Sequence, residues 1–191
     1  MKKILLLMIL AVVFILGACK GGGHNTLDEK EEAVPTSSKS PINIPLINRK
    51  GEKTGEAELV ETDKGVAIRV MAQGLEPGKK AIHIHETGKC VPPDFKSAGA
   101  HFNPFNKEHG FHNPKGYHAG DLVNIEVPVN GKVDVVLKSA DVTLKTGQPN
   151  SILDGDGSAL VIHEKADDYK TDPAGNAGNR IICGEIVREG N

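Results

Sequence analysis

The stretch Thr62-Asp63-Lys64-Gly65-Val66-Ala67-Ile68-Arg69-Val70 shows how this chain is built. Its first four residues have the composition of a tight turn, and the apolar residues Val66, Ile68 and Val70 then recur at every second position. Successive side chains of a β-strand point to opposite faces of the sheet. The stretch therefore predicts a turn followed by a strand that buries one face.

The same two signals recur on both sides of this stretch, and helical periodicity is nearly absent. Apolar residues alternate at 42–46 and 133–137, later strands are predicted at 158–163 and 180–187, and turn residues fill 49–52, 75–78 and 129–132. Short strands joined by regular turns predict an all-β, antiparallel sandwich or barrel.

Two stretches interrupt this rhythm of strands. One runs from about Glu86 to Asp121 and is rich in Gly, Pro, Asn and His, and the other runs from about Glu164 to Asn179. Loops of this length are uncommon in compact domains unless they are functional or disordered. We expect metal to order the first of them, on a rigid β scaffold.

The N-terminus has the features of an export signal. Lys2 and Lys3 precede an apolar run, Ile4 to Ala18, which is shorter than a membrane-spanning helix and typical of a signal peptide. The run ends in Leu16-Gly17-Ala18-Cys19, which resembles the lipobox of bacterial lipoproteins. We predict a signal peptide at 1–18 and a lipidated Cys19 that anchors an extracytoplasmic protein to the bacterial cell membrane. An ordinary secretory signal, with Cys19 incidental, is the alternative.

Residues 19–41 are predicted to form a flexible tether, and residues 42–191 a single domain. The tether is charged and poor in apolar side chains, so it cannot bury enough surface to fold, and His24 within it is interpreted as solvated. The chain has a formal net charge of −2, which becomes −4 once Lys2 and Lys3 are removed with the signal peptide. This balance gives no basic patch for nucleic acid.

Histidines cluster in the first interruption and beside it. Six of the eight histidines lie between His83 and His118, and imidazole is the commonest protein ligand for zinc and copper. His83 and His85 are two residues apart on a predicted strand, so both point to one face, and His163 ends another strand. A site with nitrogen ligands alone and open positions suits a redox-capable copper ion.

A second candidate set lies on the loop itself. Its members are His101, His109, His118 and Asp121. Three imidazoles and one carboxylate form the closed tetrahedral set that is expected of structural zinc. His112 fits neither set and is interpreted as an ordinary loop residue.

The predicted domain contains two cysteines, Cys90 and Cys183. In an exported protein two cysteines generally pair, because that compartment is oxidising. Either cysteine could instead bind metal. The disulfide is favoured, because the histidines and Asp121 already supply enough ligands.

Taken together, the motifs resemble those of the Cu,Zn superoxide dismutase family. The resemblance rests on His83-Ile84-His85-Glu86, His101-Phe102-Asn103-Pro104, Lys107-Glu108-His109-Gly110, His118-Ala119-Gly120-Asp121-Leu122, His163-Glu164-Lys165-Ala166-Asp167-Asp168 and Gly175-Asn176-Ala177-Gly178-Asn179-Arg180, and it covers residues 42 to 188 in order. It implies an eight-stranded antiparallel Greek-key β-barrel, or sandwich, with two long functional loops.

The resemblance also implies a role for each site residue. The copper ligands are His83, His85, His101 and His163; the zinc ligands are His101, His109, His118 and Asp121; the supporting residues are Asp167, Arg180, Cys90 and Cys183. His101 is implied to bridge the two ions. Asp167 is implied to link His83 to His109, Arg180 to lie beside the open copper position, and Cys90 to pair with Cys183.

The implied activity is conversion of superoxide to O₂ and hydrogen peroxide by Cu(II)/Cu(I) cycling. His101 is implied to release copper on reduction and to take up the proton that assists peroxide formation, while zinc holds the loop. Arg180 is implied to dock the anion, and Lys165 and Lys170 are candidates for steering it. Asp168 is interpreted as a solvated charge.

The alternative function is that of a non-catalytic exported copper or zinc buffer, or a chaperone, on the same fold. The sequence leaves the oligomeric state open.

Overall fold

The computed structural model describes residues 40–188. The predicted signal peptide, Cys19, His24 and nearly all of the predicted tether lie outside them. The described residues form nine strands and one 3₁₀ turn, Lys96–Ala98: β1 (Ile42–Asn48), β2 (Lys53–Thr62), β3 (Gly65–Gln73), β4 (Gly78–Lys80), β5 (Ile82–His85), β6 (Ile125–Val127), β7 (Lys132–Ser139), β8 (Ser158–His163) and β9 (Arg180–Ile186). Within this range no helix is long and apolar enough to cross a membrane.

The strands form a curled antiparallel sheet. Seven of them pair in the order β5-β8-β9-β1-β2-β3-β7, and β4 pairs with β6. Only Ala81 separates β4 from β5, and its N–H donates to the carbonyl of Lys165 while its own carbonyl accepts from the N–H of His163. Counted as one interrupted strand, β4 and β5 bring the total to the predicted eight. The all-β prediction is confirmed.

The hairpin of β2 and β3 forms as its turn residues predict. Asp63 and Lys64 make the turn, and Thr62 faces Gly65 in the first of eight paired positions. Gly65 has a φ of 104°, which favours glycine. A Cβ atom there would also collide with the carbonyl oxygen of Ser139 on β7. The turn and the packing of the next strand therefore both require glycine at this position.

The main core fills the concave side of the sheet, and a smaller cluster lies on the opposite face. Each fully buried leucine or isoleucine stabilises the fold by about 1.5–3 kcal/mol. The second cluster covers the outer side of β8 beneath the loop that follows β5. Main-core residues include Leu46, Leu59, Ile68, Ile82, Ile84, Leu160, Ile162 and Ile186, and the second cluster comprises Cys90, Phe95, Ala98, Ala159, Val161 and Cys183.

Strand alternation places the histidines of β5 on the outer face. Ile82 and Ile84 point into the main core, so His83 and His85 point the other way, and all four are buried. His83 pairs with Val161 of β8, which also lies on the outer face. The register of β8 with β9 shifts between Ile162 and His163. Such an irregularity re-aims the side chain beside it, here at the end of β8 nearest the other histidines.

The outer histidines are covered by two segments. The first long loop is defined as residues 86–124, between β5 and β6, and the second long loop as residues 164–179, between β8 and β9. Isolated bridges join His83 to Asp121 and His85 to His101, so the first loop lies directly against β5. This contact brings loop residues and strand residues into one buried centre.

Candidate metal centre

Four histidines meet on the outer face of the sheet. One ring nitrogen of each lies within 4.8 Å of one ring nitrogen of every other, and all four side chains are buried: His83, His85, His101 and His163. Strands β5 and β8 supply three of them and the first long loop supplies His101. As predicted, His83 and His85 lie on one face of the sheet, where they meet His163 of the neighbouring strand.

The free nitrogens of this group fit a bound cation. Nδ1 of His83 and Nε2 of His101 are buried without a hydrogen-bond partner, although unpaired buried polar atoms are costly. Nε2 of His85 lies 3.4 Å from Nε2 of His163. A copper ion among four nitrogens would give each of these atoms a partner.

A second group lies on the first long loop and holds three imidazoles and one carboxylate. Its members are His101, His109, His118 and Asp121, all buried. Oδ1 of Asp121 lies 2.9 Å from Nδ1 of His101, 3.1 Å from Nδ1 of His109 and 3.4 Å from Nδ1 of His118. Two ligands of one tetrahedral zinc ion are about 3.3 Å apart, given bonds of about 2.0 Å. The donor set and its spacing both fit zinc.

His101 belongs to both groups through opposite sides of its ring. Its Nδ1 faces Asp121 and lies 3.4 Å from Nδ1 of His118, while its Nε2 is the unpaired atom of the four-histidine group. One imidazole can therefore contact both ions.

Asp167 connects the two groups from behind. Its Oδ2 lies 2.9 Å from Nε2 of His83, and its Oδ1 lies 3.0 Å from Nε2 of His109. The donor atoms of these three residues are also close enough together to hold a metal ion of their own. Because each histidine already directs its other nitrogen into one of the two four-residue groups, the geometry favours a carboxylate that orients two ligands.

Burial keeps three of the histidines neutral. It lowers the pKa of His85 well below its usual value, with repulsion from His101 and Arg180 adding to the effect. It lowers the pKa of His101 to about 4 against the opposing pull of Asp121. Burial, with repulsion from His83 and His101, lowers the pKa of His163 to about 2. Neutral imidazoles offer the lone pairs that metal ions bind.

The two buried carboxylates stay ionised. Burial alone would raise the pKa of Asp121, but hydrogen bonds from His101, His109 and His118 outweigh burial and lower it. Asp167 behaves in the same way through His109 and His83. Burial likewise opposes protonation of His109, yet its hydrogen bonds to both carboxylates raise its pKa to about 9. The two carboxylates outnumber the one protonated imidazole, so these three side chains together carry net negative charge.

Arg180 begins β9 beside the four-histidine group. It is half-buried and pairs across strands with His163. Its Nη1 donates to the carbonyl of Phe95 at 2.7 Å and its Nη2 to that of Gly99 at 2.6 Å. The same Gly99 carbonyl lies 3.0 Å from Nδ1 of His85. The guanidinium is therefore fixed next to His85, with further N–H groups left for an anion.

The cysteine prediction is confirmed. Cys90 and Cys183 form a disulfide with their Cα atoms 5.7 Å apart. The bond attaches the first long loop to β9, within the second apolar cluster.

Other singled-out residues lie at the rim of the centre or outside it. His112 is exposed and belongs to neither group, as expected. Lys165 and Lys170 are exposed, and their steering role stays a prediction. Asp168 is exposed, as interpreted, but it also accepts hydrogen bonds from Thr171 and neighbouring groups, which lower its pKa to about 2. This carboxylate therefore organises the second long loop.

The sequence gives almost no indication of one further residue of the site. Asn124, at the end of the first long loop, holds the backbone of Asp167 from both sides. Its Nδ2 donates to the Asp167 carbonyl at 2.9 Å, and its Oδ1 accepts from the Asp167 N–H at 2.8 Å. Only its position three residues after Asp121 hints that it belongs to the centre.

Comparison with known proteins points to one family. The sequence model of copper/zinc superoxide dismutase (SODC) matches residues 53–186. The chain is 47% identical over 192 residues to the superoxide dismutase-like protein YojM of Bacillus subtilis, covering 98% of this chain and 97% of that protein. It is 56% identical over 142 residues to Cu-Zn superoxide dismutase 1 of Aquifex aeolicus, covering 74% and 84%. A crystal structure of a double mutant of a SOD-like protein from Bacillus subtilis matches with a TM-score of 0.75 and 54% identity, covering 76% of this chain and 97% of that chain.

Proposed function

Since this chain belongs to the copper/zinc superoxide dismutase family, which binds copper and zinc, we propose that it is a working enzyme that converts two superoxide anions and two protons to O₂ and hydrogen peroxide. One observation carries the proposal: the four-histidine group is complete, and its two unpaired ring nitrogens face into it. In the proposal His83, His85, His101 and His163 hold copper, and His101, His109, His118 and Asp121 hold zinc.

The SOD-like protein from Bacillus subtilis offers a comparison that bears on whether this chain is active. One crystallised double mutant of the SOD-like protein carries histidines in place of a tyrosine and a proline sixteen positions apart. In this chain His85 and His101 are sixteen residues apart, and no other two histidines have that spacing. The correspondence supports the view that this chain naturally carries two histidines that the SOD-like protein acquires only by substitution. Both belong to the proposed copper set.

The residues divide the work of the reaction between them. When bound, copper supplies the one-electron redox chemistry, and zinc supplies fixed positive charge and holds the loop. Arg180 binds the superoxide anion through its free N–H groups, because its guanidinium stays charged at working pH. Nε2 of His101, when not engaged with copper, supplies one of the two protons that the second superoxide needs to leave as hydrogen peroxide, and solvent supplies the other; bound copper would supply the electron. Asp167 keeps the rings of His83 and His109 oriented throughout.

The rival function is a metal buffer or chaperone on the same barrel, which would need the ligands but not Arg180. Arg180 is held beside His85 by two backbone carbonyls, an arrangement that binding of metal alone does not require. This placement favours catalysis over storage.

The test compares the purified protein, loaded with copper and zinc, with its His85→Gln variant. We expect rapid superoxide consumption by the parent, and loss of copper and nearly all activity in the variant with zinc content retained. His112→Gln is the control, because His112 is an exposed histidine outside both groups. A fully loaded parent that consumed superoxide no faster than His85→Gln would contradict the dismutase proposal and favour the metal-buffer function.

We also propose that the enzyme acts outside the cytoplasm, tethered to the bacterial cell membrane through a lipid on Cys19. The support is the sequence alone: the basic start, the apolar run Ile4 to Ala18 and the small residues before Cys19. Expressed in a bacterium, the parent should partition into detergent and carry labelled fatty acid, and Cys19→Ser should do neither. Identical partitioning of the two would favour an ordinary secretory signal.

A further inference from the structure

The two long loops are joined at Tyr169, a residue that neither proposed ligand set includes. The phenol oxygen accepts a hydrogen bond from the backbone N–H of Asn124 at 2.6 Å. The backbone N–H of Tyr169 donates to Oδ1 of Asp167 at 2.6 Å, and its carbonyl accepts from the N–H of His112 at 2.8 Å. Tyr169, on the second long loop, therefore contacts the first long loop at two separate points and also contacts the carboxylate of Asp167.

The aromatic ring of Tyr169 packs against the same loop. Its centroid lies 5.6 Å from that of Phe111 and 5.6 Å from that of His112. Edge-on and tilted ring pairs at such distances are favourable beyond the surface area that they bury. The ring therefore fills the space between the loops, while the phenol group reaches Asn124.

The backbone of Tyr169 adopts a conformation that does not suit a tyrosine. Its φ is 60°, in the left-handed region that glycine or asparagine enters more readily than a bulky residue. A loop selected only for its turn would carry one of those residues here. The presence of tyrosine indicates that its side chain is required at this position.

Tyr169 and Asn124 together surround Asp167. Asn124 fixes the Asp167 backbone with two hydrogen bonds, and Tyr169 binds both the Asp167 carboxylate and the Asn124 backbone. Asp167 in turn contacts Nε2 of His109, so Nδ1 of that ring is left to face Asp121. The tautomer and orientation of a proposed zinc ligand therefore depend on this chain of contacts.

We propose that Tyr169 is a positioning residue that locks the two loops together and so raises the affinity of the centre for zinc. The proposal rests on the assignment of zinc to His101, His109, His118 and Asp121 made above. If the loops are ordered before metal arrives, less conformational entropy is lost on binding. The phenol group of Tyr169 supplies that order.

The experiment uses Tyr169→Phe with Tyr117→Phe as its matched control. Tyr169→Phe keeps the ring and the backbone contact with Asp167 and removes only the oxygen that accepts from Asn124. Tyr117 contacts Phe111 at 4.5 Å between centroids, but its hydroxyl donates to Oδ2 of Asp141. The other hydrogen bonds of Asp141 go to Ser139 and Asn150, not to Asp167 or Asn124. Each variant thus loses one phenol hydrogen bond from the same aromatic cluster, and only one of them loses the contact behind Asp167.

Zn²⁺ affinity of the purified, metal-free, oxidised protein is measured by competition with a chromophoric chelator. We expect Tyr169→Phe to bind Zn²⁺ about tenfold more weakly than the parent, the lower end of the usual effect of residues behind metal ligands. Tyr117→Phe should match the parent. The visible spectrum of Co²⁺ bound in place of zinc should change only in Tyr169→Phe.

Two results would overturn the proposal. One is equal Zn²⁺ affinity of the parent and Tyr169→Phe; the other is an equal loss in both variants, which would mean that any lost loop contact has this effect. These measurements involve no superoxide. Failure of the proposed catalysis would appear separately, as a fully loaded parent without dismutase activity.

Discussion

At the scale of single residues, Arg180 separates an enzyme from a metal-binding protein. Its guanidinium donates to the carbonyls of Phe95 and Gly99, and the second of these also contacts His85. Burial lowers the pKa of Arg180, but an arginine stays charged at working pH in any case. The residue is a fixed positive charge beside the proposed copper position.

We expect Arg180→Glu to lower kcat/KM for superoxide by about tenfold or more, because it replaces attraction of the anion by repulsion worth about 1–4 kcal/mol per charge pair. Arg180→Lys should keep part of the activity, since the charge survives while the paired N–H groups do not. Activity measured beside copper and zinc content checks this, and the metal content should stay the same.

Salt provides a second check on Arg180. The activity of the parent should fall as ionic strength rises from 0.01 M to 0.15 M, over which the Debye length shortens from about 30 Å to about 8 Å. Arg180→Glu should show a weaker or inverted salt dependence. Unchanged activity of Arg180→Glu at equal metal loading would exclude the proposed role.

The candidate metal ligands can be predicted from the sequence, because residue type and spacing along the chain identify them. The residues that hold those ligands in place cannot be predicted in this way. His83, His85 and Asp121 are recognisable from residue type and spacing. Asn124 and Tyr169 are ordinary loop residues, and they act on Asp167 and on Asn124 across 43 and 45 positions of the chain. Such contacts depend on how two loops fold against each other, which spacing alone does not encode.

At the scale of elements, strand prediction succeeds where alternation is long. Strands β3 and β7 have nine and eight residues and a clear apolar pattern. Strands β4 and β6 have three residues each, too few for a period of two to show, and their pairing has no signal in the sequence. The irregularity at His163 also has no sequence signal, because it follows from how β8 and β9 pair.

Glu61 attaches β2 to the connection that follows β7. Its nearly buried carboxylate accepts from the Thr143 hydroxyl at 2.9 Å and the Leu144 N–H at 2.7 Å, and Lys145 lies 3.3 Å away. Burial alone would raise the pKa of Glu61, but these contacts outweigh burial and lower it. The ionised form is therefore the one that holds the connection in place.

We expect Glu61→Gln to lower the free energy of unfolding by about 2 kcal/mol at pH 7, the usual worth of hydrogen bonds to a buried charged group. A lowered pKa in the folded state means that this stabilisation is present above the ordinary pKa of 4.5 and is lost as pH falls through the lower folded value. The difference between parent and variant, measured by urea unfolding, should therefore shrink below pH 4.5.

Glu126→Gln is the control for this prediction, since Glu126 is an exposed glutamate on β6. It should change the stability little at either pH. A Glu61→Gln variant as stable as the parent at pH 7, or a difference that grew as pH fell, would contradict the role assigned to the ionised carboxylate.

At the scale of the whole molecule, the disulfide joins distant parts of the fold. Cys90 and Cys183 are 93 residues apart, and the bond attaches the first long loop to the last strand. Phe95 and Gly99, which hold Arg180, lie on the same loop a few residues after Cys90. The bond therefore bears both on the stability of the barrel and on the position of the anion-binding arginine.

Replacing both cysteines by alanine should lower the free energy of unfolding by about 4.5 kcal/mol, the chain-entropy value for a closed loop of this length. The double substitution avoids an unpaired thiol, and urea unfolding of the oxidised parent and the variant measures the difference.

Because the loop that holds Arg180 loses its attachment in this variant, we also expect superoxide consumption to fall by more than copper content does. The parent treated with reductant should approach the variant in both respects. If the variant kept full activity per bound copper, the disulfide would stabilise the barrel without helping to position Arg180.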